Sequence, residues 1–130
     1  MAITLNTATR NAACDAIVDL VDGGTGAGTI EIKSADNETQ GGNELAIITF
    51  QDPAFGAAAN GVATAATPMT DETSANAGTA SHYVVYDSAG TYIWKGTVST
   101  SGADLNLSSV SIGAGDTVSI TSFTLTVPAS

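Results

Sequence analysis

Ser81-His82-Tyr83-Val84-Val85-Tyr86-Asp87-Ser88-Ala89-Gly90-Thr91-Tyr92-Ile93-Trp94-Lys95-Gly96-Thr97-Val98 reads as two extended runs around a turn. In the first run His82, Val84 and Tyr86 share one face, and Tyr83 and Val85 the other. The β-branched and aromatic content suits a pleated surface. Ser88-Ala89-Gly90 turns the chain, with Gly90 expected in the left-handed region. The return run places Tyr92, Trp94 and Val98 on one face, and Ile93 and Lys95 on the other. A chain organised around such a hairpin is expected to be mainly β.

Outward from the hairpin the same period recurs. On the N-terminal side, Thr29–Lys33 (Ile30, Ile32) and Glu44–Gln51 (Leu45, Ile47 against Ile48, Phe50) read as strands. Ser34–Asn43 is a polar loop between them. Asp52-Pro53 stops the second strand, because proline cannot donate to a ladder. Ala54–Ala66 is Ala-rich, and its Asn60-Gly61 is a two-residue hairpin turn. Thr67–Ala80 reads as a strand end and a loop. On the C-terminal side, Leu105–Ile112 and Asp116–Val127 read as a strand pair joined by Gly113-Ala114-Gly115. Each changes phase midway: Leu105 and Leu107 are odd-numbered, Val110 and Ile112 even. β-Bulges are therefore expected near Ser108-Ser109 and Thr121-Ser122.

The first 24 residues differ. Asn6 or Thr7 can cap a helix over Ala8–Asp22, with Ala13, Ile17 and Leu20 in one apolar row and Cys14, Val18 and Val21 in the next. Gly23-Gly24 ends it. Carboxylates near its C-terminal end oppose the helix dipole, so its apolar arc must be packed against something. The expected whole is one structural domain: an arm and helix over 1–24, and a β-sandwich or jelly-roll of about eight short antiparallel strands over 25–130. The helix either covers one end or face of the sandwich or reaches a neighbouring subunit.

Composition narrows the function. Ala, Thr, Gly and Ser fill just over half of the 130 positions, and charged residues are 12%, about half the usual ~25%. Three Lys/Arg against thirteen Asp/Glu give a formal charge of −10. So few cations argue against nucleic acid and against an anionic membrane surface. One Cys and one His exclude a disulfide framework and the common zinc motifs. No run is apolar enough to span a bilayer. Met1–Asn6 has neither the basic nor the apolar region of a signal peptide, so synthesis in a cytoplasm and a reduced Cys14 are expected. A surface of short side chains loses little rotamer entropy on contact, which suits packing into an assembly.

The chemistry-bearing residues form no recognisable site. His82 lies mid-strand and reads as a partly buried or interface histidine rather than a base. Cys14 lies in the helix's apolar arc as an inert thiol. Asp71-Glu72, adjacent in an extended strand, point to opposite faces and cannot share a substrate. Asp36, Asn37, Glu38 and Asn43 offer oxygens for calcium, but without EF-hand spacing they read as a solvated loop, with Gly41-Gly42 a flexible turn. Gly23–Gly28 follows a helix and opens a strand, the reverse of a phosphate loop. Asn37-Glu38-Thr39 and Asn106-Leu107-Ser108 match the glycosylation sequon, as chance allows in so Ser/Thr-rich a chain. No catalytic, cofactor or metal residue is assigned, and no enzyme is expected. Trp94 and the three tyrosines are the side chains that a glycan surface would have to use.

Four blocks together resemble small virion proteins of tailed bacteriophages and prophages: Thr9-Arg10-Asn11-Ala12-Ala13-Cys14-Asp15-Ala16-Ile17-Val18-Asp19-Leu20-Val21-Asp22-Gly23-Gly24, Phe50-Gln51-Asp52-Pro53-Ala54-Phe55-Gly56, Val85-Tyr86-Asp87-Ser88-Ala89-Gly90-Thr91 and Ala114-Gly115-Asp116-Thr117-Val118. The signal is their order; none is a catalytic motif. Ser34–Asn43 departs from the resemblance, since members often carry a proline-containing loop there and this chain has none. The resemblance implies a β-sandwich structural protein on the virion's capsid surface, made in the host bacterial cytoplasm. It would decorate or cement the head shell by binding the major capsid protein, as a homo-oligomer, often a trimer. Alternatives are a tail or baseplate structural protein and, ranked lower, a host-surface glycan-binding module. Either the arm and helix, Met1–Asp22, or the loops around Ser34–Asn43 and Thr67–Ala80 are expected to make the contacts.

Overall fold

The computed structural model describes residues 3–66, 69–71 and 74–129. The described residues are mainly β, with one helix among them and a curled sheet. Its elements run α1 (Thr7–Asp19), β1 (Thr29–Lys33), β2 (Glu44–Thr49), β3 (Val62–Thr64), β4 (Met69–Asp71), β5 (Gly78–Thr79), β6 (His82–Tyr86), β7 (Tyr92–Ser99), β8 (Leu105–Asn106), β9 (Ser111–Ile112), β10 (Val118–Ile120) and β11 (Thr124–Thr126).

The opening hairpin is β6–β7. Asp87 Oδ1 accepts from Ala89 N and Thr91 N, both at 2.9 Å, and Gly90 has φ 84°. An Asx-type turn of this kind needs a short acceptor and a residue free to adopt positive φ. β1 inserts between β6 and β2, and β8 joins β7, giving the order β2-β1-β6-β7-β8. The β7–β8 pair is parallel, so the strands are not all antiparallel as expected. A register slip between Val85 and Tyr86 pairs Tyr86 with Tyr92 while Val85 pairs with Trp94. Tyr92 and Trp94 therefore face opposite sides of the sheet, not the same side: Tyr92 is exposed and Trp94 turns to the core. Gly96 is explained by its partner. The Tyr83 ring lies across it, and an added Cβ would sit 2.5 Å from Cε2.

The C-terminal third does not form the expected bulged hairpin. The phase changes are strand breaks: β9 pairs with β5, β10 with β4, and β11 with β3. The second break holds Phe123. It is buried with its ring centroid 5.1–6.2 Å from those of Tyr83, Phe55, Trp94 and Phe50. Seating that ring in the core redirects the backbone on either side. The 113–116 turn is held by Ser74, whose Oγ donates to Gly113 O at 2.6 Å and accepts from Asp116 N at 3.1 Å.

α1 begins as read, with Asn6 Oδ1 accepting from Thr9 N at 2.8 Å. It ends at Asp19 rather than Asp22, because the chain tightens into i→i+3 bonds from Leu20 to Gly23. Of the two apolar rows, Cys14, Val18 and Val21 are buried, whereas Leu20 is 57% exposed. α1 lies on β3 and β11, and polar side chains fasten it there. Asn11, Asp15 and Asp22 accept from the backbone N–H groups of Gly61, Ala58 and Ala54 at 2.7–2.9 Å. Arg10 donates to Val127 O and Asn60 O, both at 2.9 Å. Two of the carboxylates that oppose the dipole are thus acceptors for the Ala-rich segment. That segment turns at Asn60-Gly61 (φ 52° and 76°), as its sequence predicts.

Candidate functional site

The five-stranded sheet has one face on the hydrophobic core and a second face that is covered over β1 and β6. Ile30, Ile32, Ile48, Tyr83 and Val85 face the hydrophobic core. The other face carries Glu31 and Lys33 from β1 and Val84 and Tyr86 from β6, all at most 1% exposed. The segment 34–43 covers it as a strap across β1 and β6 to β7.

The strap is held from beneath by a buried ion pair. Lys33 Nζ lies 3.1 Å from Glu31 Oε1 and donates to Thr39 O and Gly42 O at 2.8 Å each. Gly41 N donates to the same Glu31 oxygen at 2.8 Å. A buried ammonium needs its donors satisfied and a counter-charge; two strap carbonyls and a neighbouring β1 carboxylate supply them. Glu31 Oε2 is buried without a hydrogen-bond partner. Tyr86 OH donates to Glu38 O at 2.8 Å, and its ring lies 5.6 Å below Lys33 Nζ. Burial pushes the Tyr86 hydroxyl up to about 12, helped by Glu31, Glu38 and Glu44.

At its far end the strap is tied from above. Lys95 Nζ on β7 donates to Glu38 Oε1 at 2.7 Å and Asp36 Oδ1 at 2.9 Å. These bonds hold the Lys95 ammonium above the usual lysine range, and the Lys95 bond holds the Asp36 carboxyl below the usual aspartate range. Gln40 reaches the β6–β7 turn, where a Cβ on Gly90 would sit 2.5 Å from its Oε1. Asn37 accepts from Thr39 N and donates to Asn43 Oδ1, both at 2.9 Å. The four residues weighed as calcium ligands therefore divide: Asp36 and Glu38 converge on Lys95, and Asn37 pairs with Asn43. Gly41-Gly42 is an anchored turn rather than a free one, with Gly41 at φ 81°. Among the described residues no three His, Cys, Asp or Glu are placed to hold a metal.

The remaining candidates are also bound into the fold. His82 Nδ1 lies 2.8 Å from Ser81 Oγ, its neighbour in the chain. Cys14 is buried with Sγ 3.3 Å from Leu125 O, and burial pushes the thiol up. Trp94 lies nearly parallel to Phe123 (interplanar 12°) and donates Nε1–H to Tyr83 OH at 3.2 Å. Burial pushes that tyrosine up to about 12. Asn106 accepts from Ala103 N. Gly23–Gly28 links α1 to β1, with Gly24 at φ 99°. Glu72 and Pro68 lie outside the described residues.

Glu31 and Lys33 are the residues that sequence reading passed over. Two opposite charges at alternate positions of one strand, followed by a ten-residue polar loop, are compatible with a solvated face. Only the covering strap makes them buried. The chain matches no protein-family model, no curated protein and no solved structure.

Proposed function

We propose that this chain is a non-enzymatic structural protein of a phage virion, a capsid decoration or cement protein that binds the head shell. The observation that carries this reading is the fate of its cations. All three are spent inside the chain: Arg10 on the Ala-rich turn and C-terminal tail, Lys33 on the strap, Lys95 on Asp36 and Glu38. The face offered to a partner is then acidic and built of short side chains. Such a face binds a basic protein surface with little loss of rotamer entropy.

In this reading the curled sheet closes as a β-sandwich or jelly-roll, and the strap side is the face laid on the shell. The inner side of α1 is occupied by its own fold. The strap is fixed at both ends before contact, so little ordering entropy is lost on binding. Added buried area between shell subunits would stabilise the particle by mass action.

The test is to mix purified protein with shells lacking it, sediment them, and heat the pellet. Co-sedimentation with a raised shell melting temperature is expected, weakening as salt screens the contact. Absence of both sinks the reading. Recovery with tails alone would move the protein to the tail or baseplate. Saturable glycan binding lost on Tyr92→Ala would favour a host-surface module.

A further inference from the structure

Of the seven asparagines, Asn60 alone is followed by glycine. That dipeptide lends itself to an internal reaction. With no side chain on the second residue, its deprotonated backbone nitrogen reaches the asparagine carboxamide carbon unhindered. The place is accessible too. Asn60 is exposed at the tip of a two-residue turn, closed by Ala59 N and Val62 N donating to each other's carbonyls at 2.9 Å.

The Asn60–Gly61 peptide unit is nevertheless held at both ends, by consecutive residues of α1. Arg10 Nη2 donates to its carbonyl oxygen at 2.9 Å, and Asn11 Oδ1 accepts from its N–H at 2.7 Å. The two bonds act in opposite senses. A guanidinium on the carbonyl makes the N–H more acidic, which favours attack. Asn11 engages the N–H itself and fixes the nitrogen in a buried residue, away from solvent base. Asn11 therefore stands between a primed peptide unit and its reaction.

We propose that Asn60 is a site of spontaneous deamidation that α1 holds shut through Asn11, and that it opens when α1 lifts from the turn. In the reaction Gly61 N gives its proton to hydroxide and bonds to Asn60 Cγ. The Cγ–Nδ2 bond breaks, and Nδ2 takes a proton from water and leaves as ammonia. A second water opens the cyclic imide at either carbonyl, giving aspartate or isoaspartate. The product acts on the fold. Isoaspartate puts an extra methylene into the main chain of the turn. The Ala59–Val62 bonds and the 2.8 Å bond from Val127 N to Gly61 O then cannot all be kept. Those bonds frame the seat of α1 on β3 and β11, so the reaction loosens α1 in one direction only. It needs no partner and is independent of shell binding.

The test incubates the full-length chain in mildly alkaline buffer and follows isoaspartate by peptide mapping. Slow conversion of Asn60 is expected in the folded wild type and fast conversion in urea, where α1 is absent. Asn11→Ala, in which Asp15 and Asp22 still anchor α1, should convert Asn60 several-fold faster than wild type. Asn11→Asp, which keeps an acceptor for the N–H, should not. Lys33→Met removes a buried charge elsewhere and should leave the folded-state rate at Asn60 near wild type. Deamidated wild-type chain, separated by ion exchange, should show faster hydrogen exchange at the Ala58 and Gly61 amides. A wild-type rate in Asn11→Ala overturns the gate, as does equal conversion of folded and urea-unfolded wild type. Acceleration by Lys33→Met equal to that by Asn11→Ala also overturns it, since the reaction would then run through global unfolding. Conversion of another asparagine ahead of Asn60 overturns the site, and unchanged exchange in the deamidated chain overturns the loosening.

Discussion

Glu31 and Lys33 form a pair whose value depends on both members. Removing one partner of a buried pair leaves the other uncompensated, at a cost of ~3–5 kcal/mol. Lys33→Met should therefore lower unfolding stability by about that amount. The double variant Glu31→Leu/Lys33→Met should recover most of it, since two apolar side chains can fill the site without an orphaned charge. Urea unfolding of the two singles and the double closes the cycle; additive losses would mean that the pair does not act as a unit. Gly61 is a different kind of constraint. Its φ is 76°, and an added Cβ would lie 2.6 Å from both Arg10 Nη2 and Val127 O. Gly61→Ala should cost roughly 2 kcal/mol from backbone strain and displaced Arg10 bonds. Gly26→Ala, with nothing within 4 Å of the added Cβ, should cost far less in the same urea titration.

At the scale of elements, the strap and the helix divide what local sequence can and cannot reveal. The β6–β7 hairpin, the Asn6 cap and the Asn60-Gly61 turn were legible because each is decided within a few residues: an alternation, a capping oxygen, a positive φ. The strap was not, because its placement over Glu31 and Lys33 draws on Lys95, more than fifty positions away from Asp36 and Glu38. The second C-terminal break was legible as a phase change, but its cause was not, since Phe123 has to meet rings from four other segments. Within the strap, the outer tie is exposed and the inner anchor is buried. Exposed ion pairs contribute little to global stability. Lys95→Ala should accordingly leave the urea midpoint nearly unchanged while speeding hydrogen exchange of the strap amides from 36 to 40. Lys33→Met should speed exchange there and also shift the midpoint. Equal effects of the two substitutions would refute the division into tie and anchor.

For the whole molecule, the buried phenols set the alkaline limit. Tyr83 and Tyr86 are both held at about 12, burial being the first cause for each. In the unfolded chain a tyrosine titrates near 10. Between those values the unfolded chain has released protons that the folded chain keeps, so stability falls as pH rises. The contribution is fully present below pH 10 and is lost as pH climbs through about 12. At ~1.4 kcal/mol per pKa unit, Tyr83 alone accounts for a loss on the order of 2–3 kcal/mol. Urea midpoints measured from pH 8 to 12 should hold level to about pH 10 and then drop, the drop being shallower in Tyr83→Phe and in Tyr86→Phe. Tyr83→Phe also leaves the Trp94 indole N–H without its acceptor, so it should start lower at pH 8. Tyr86→Phe frees Glu38 O in the strap, so its added signature is faster exchange over 36–40. A decline equally steep in both phenylalanine variants would place the alkaline transition on other groups.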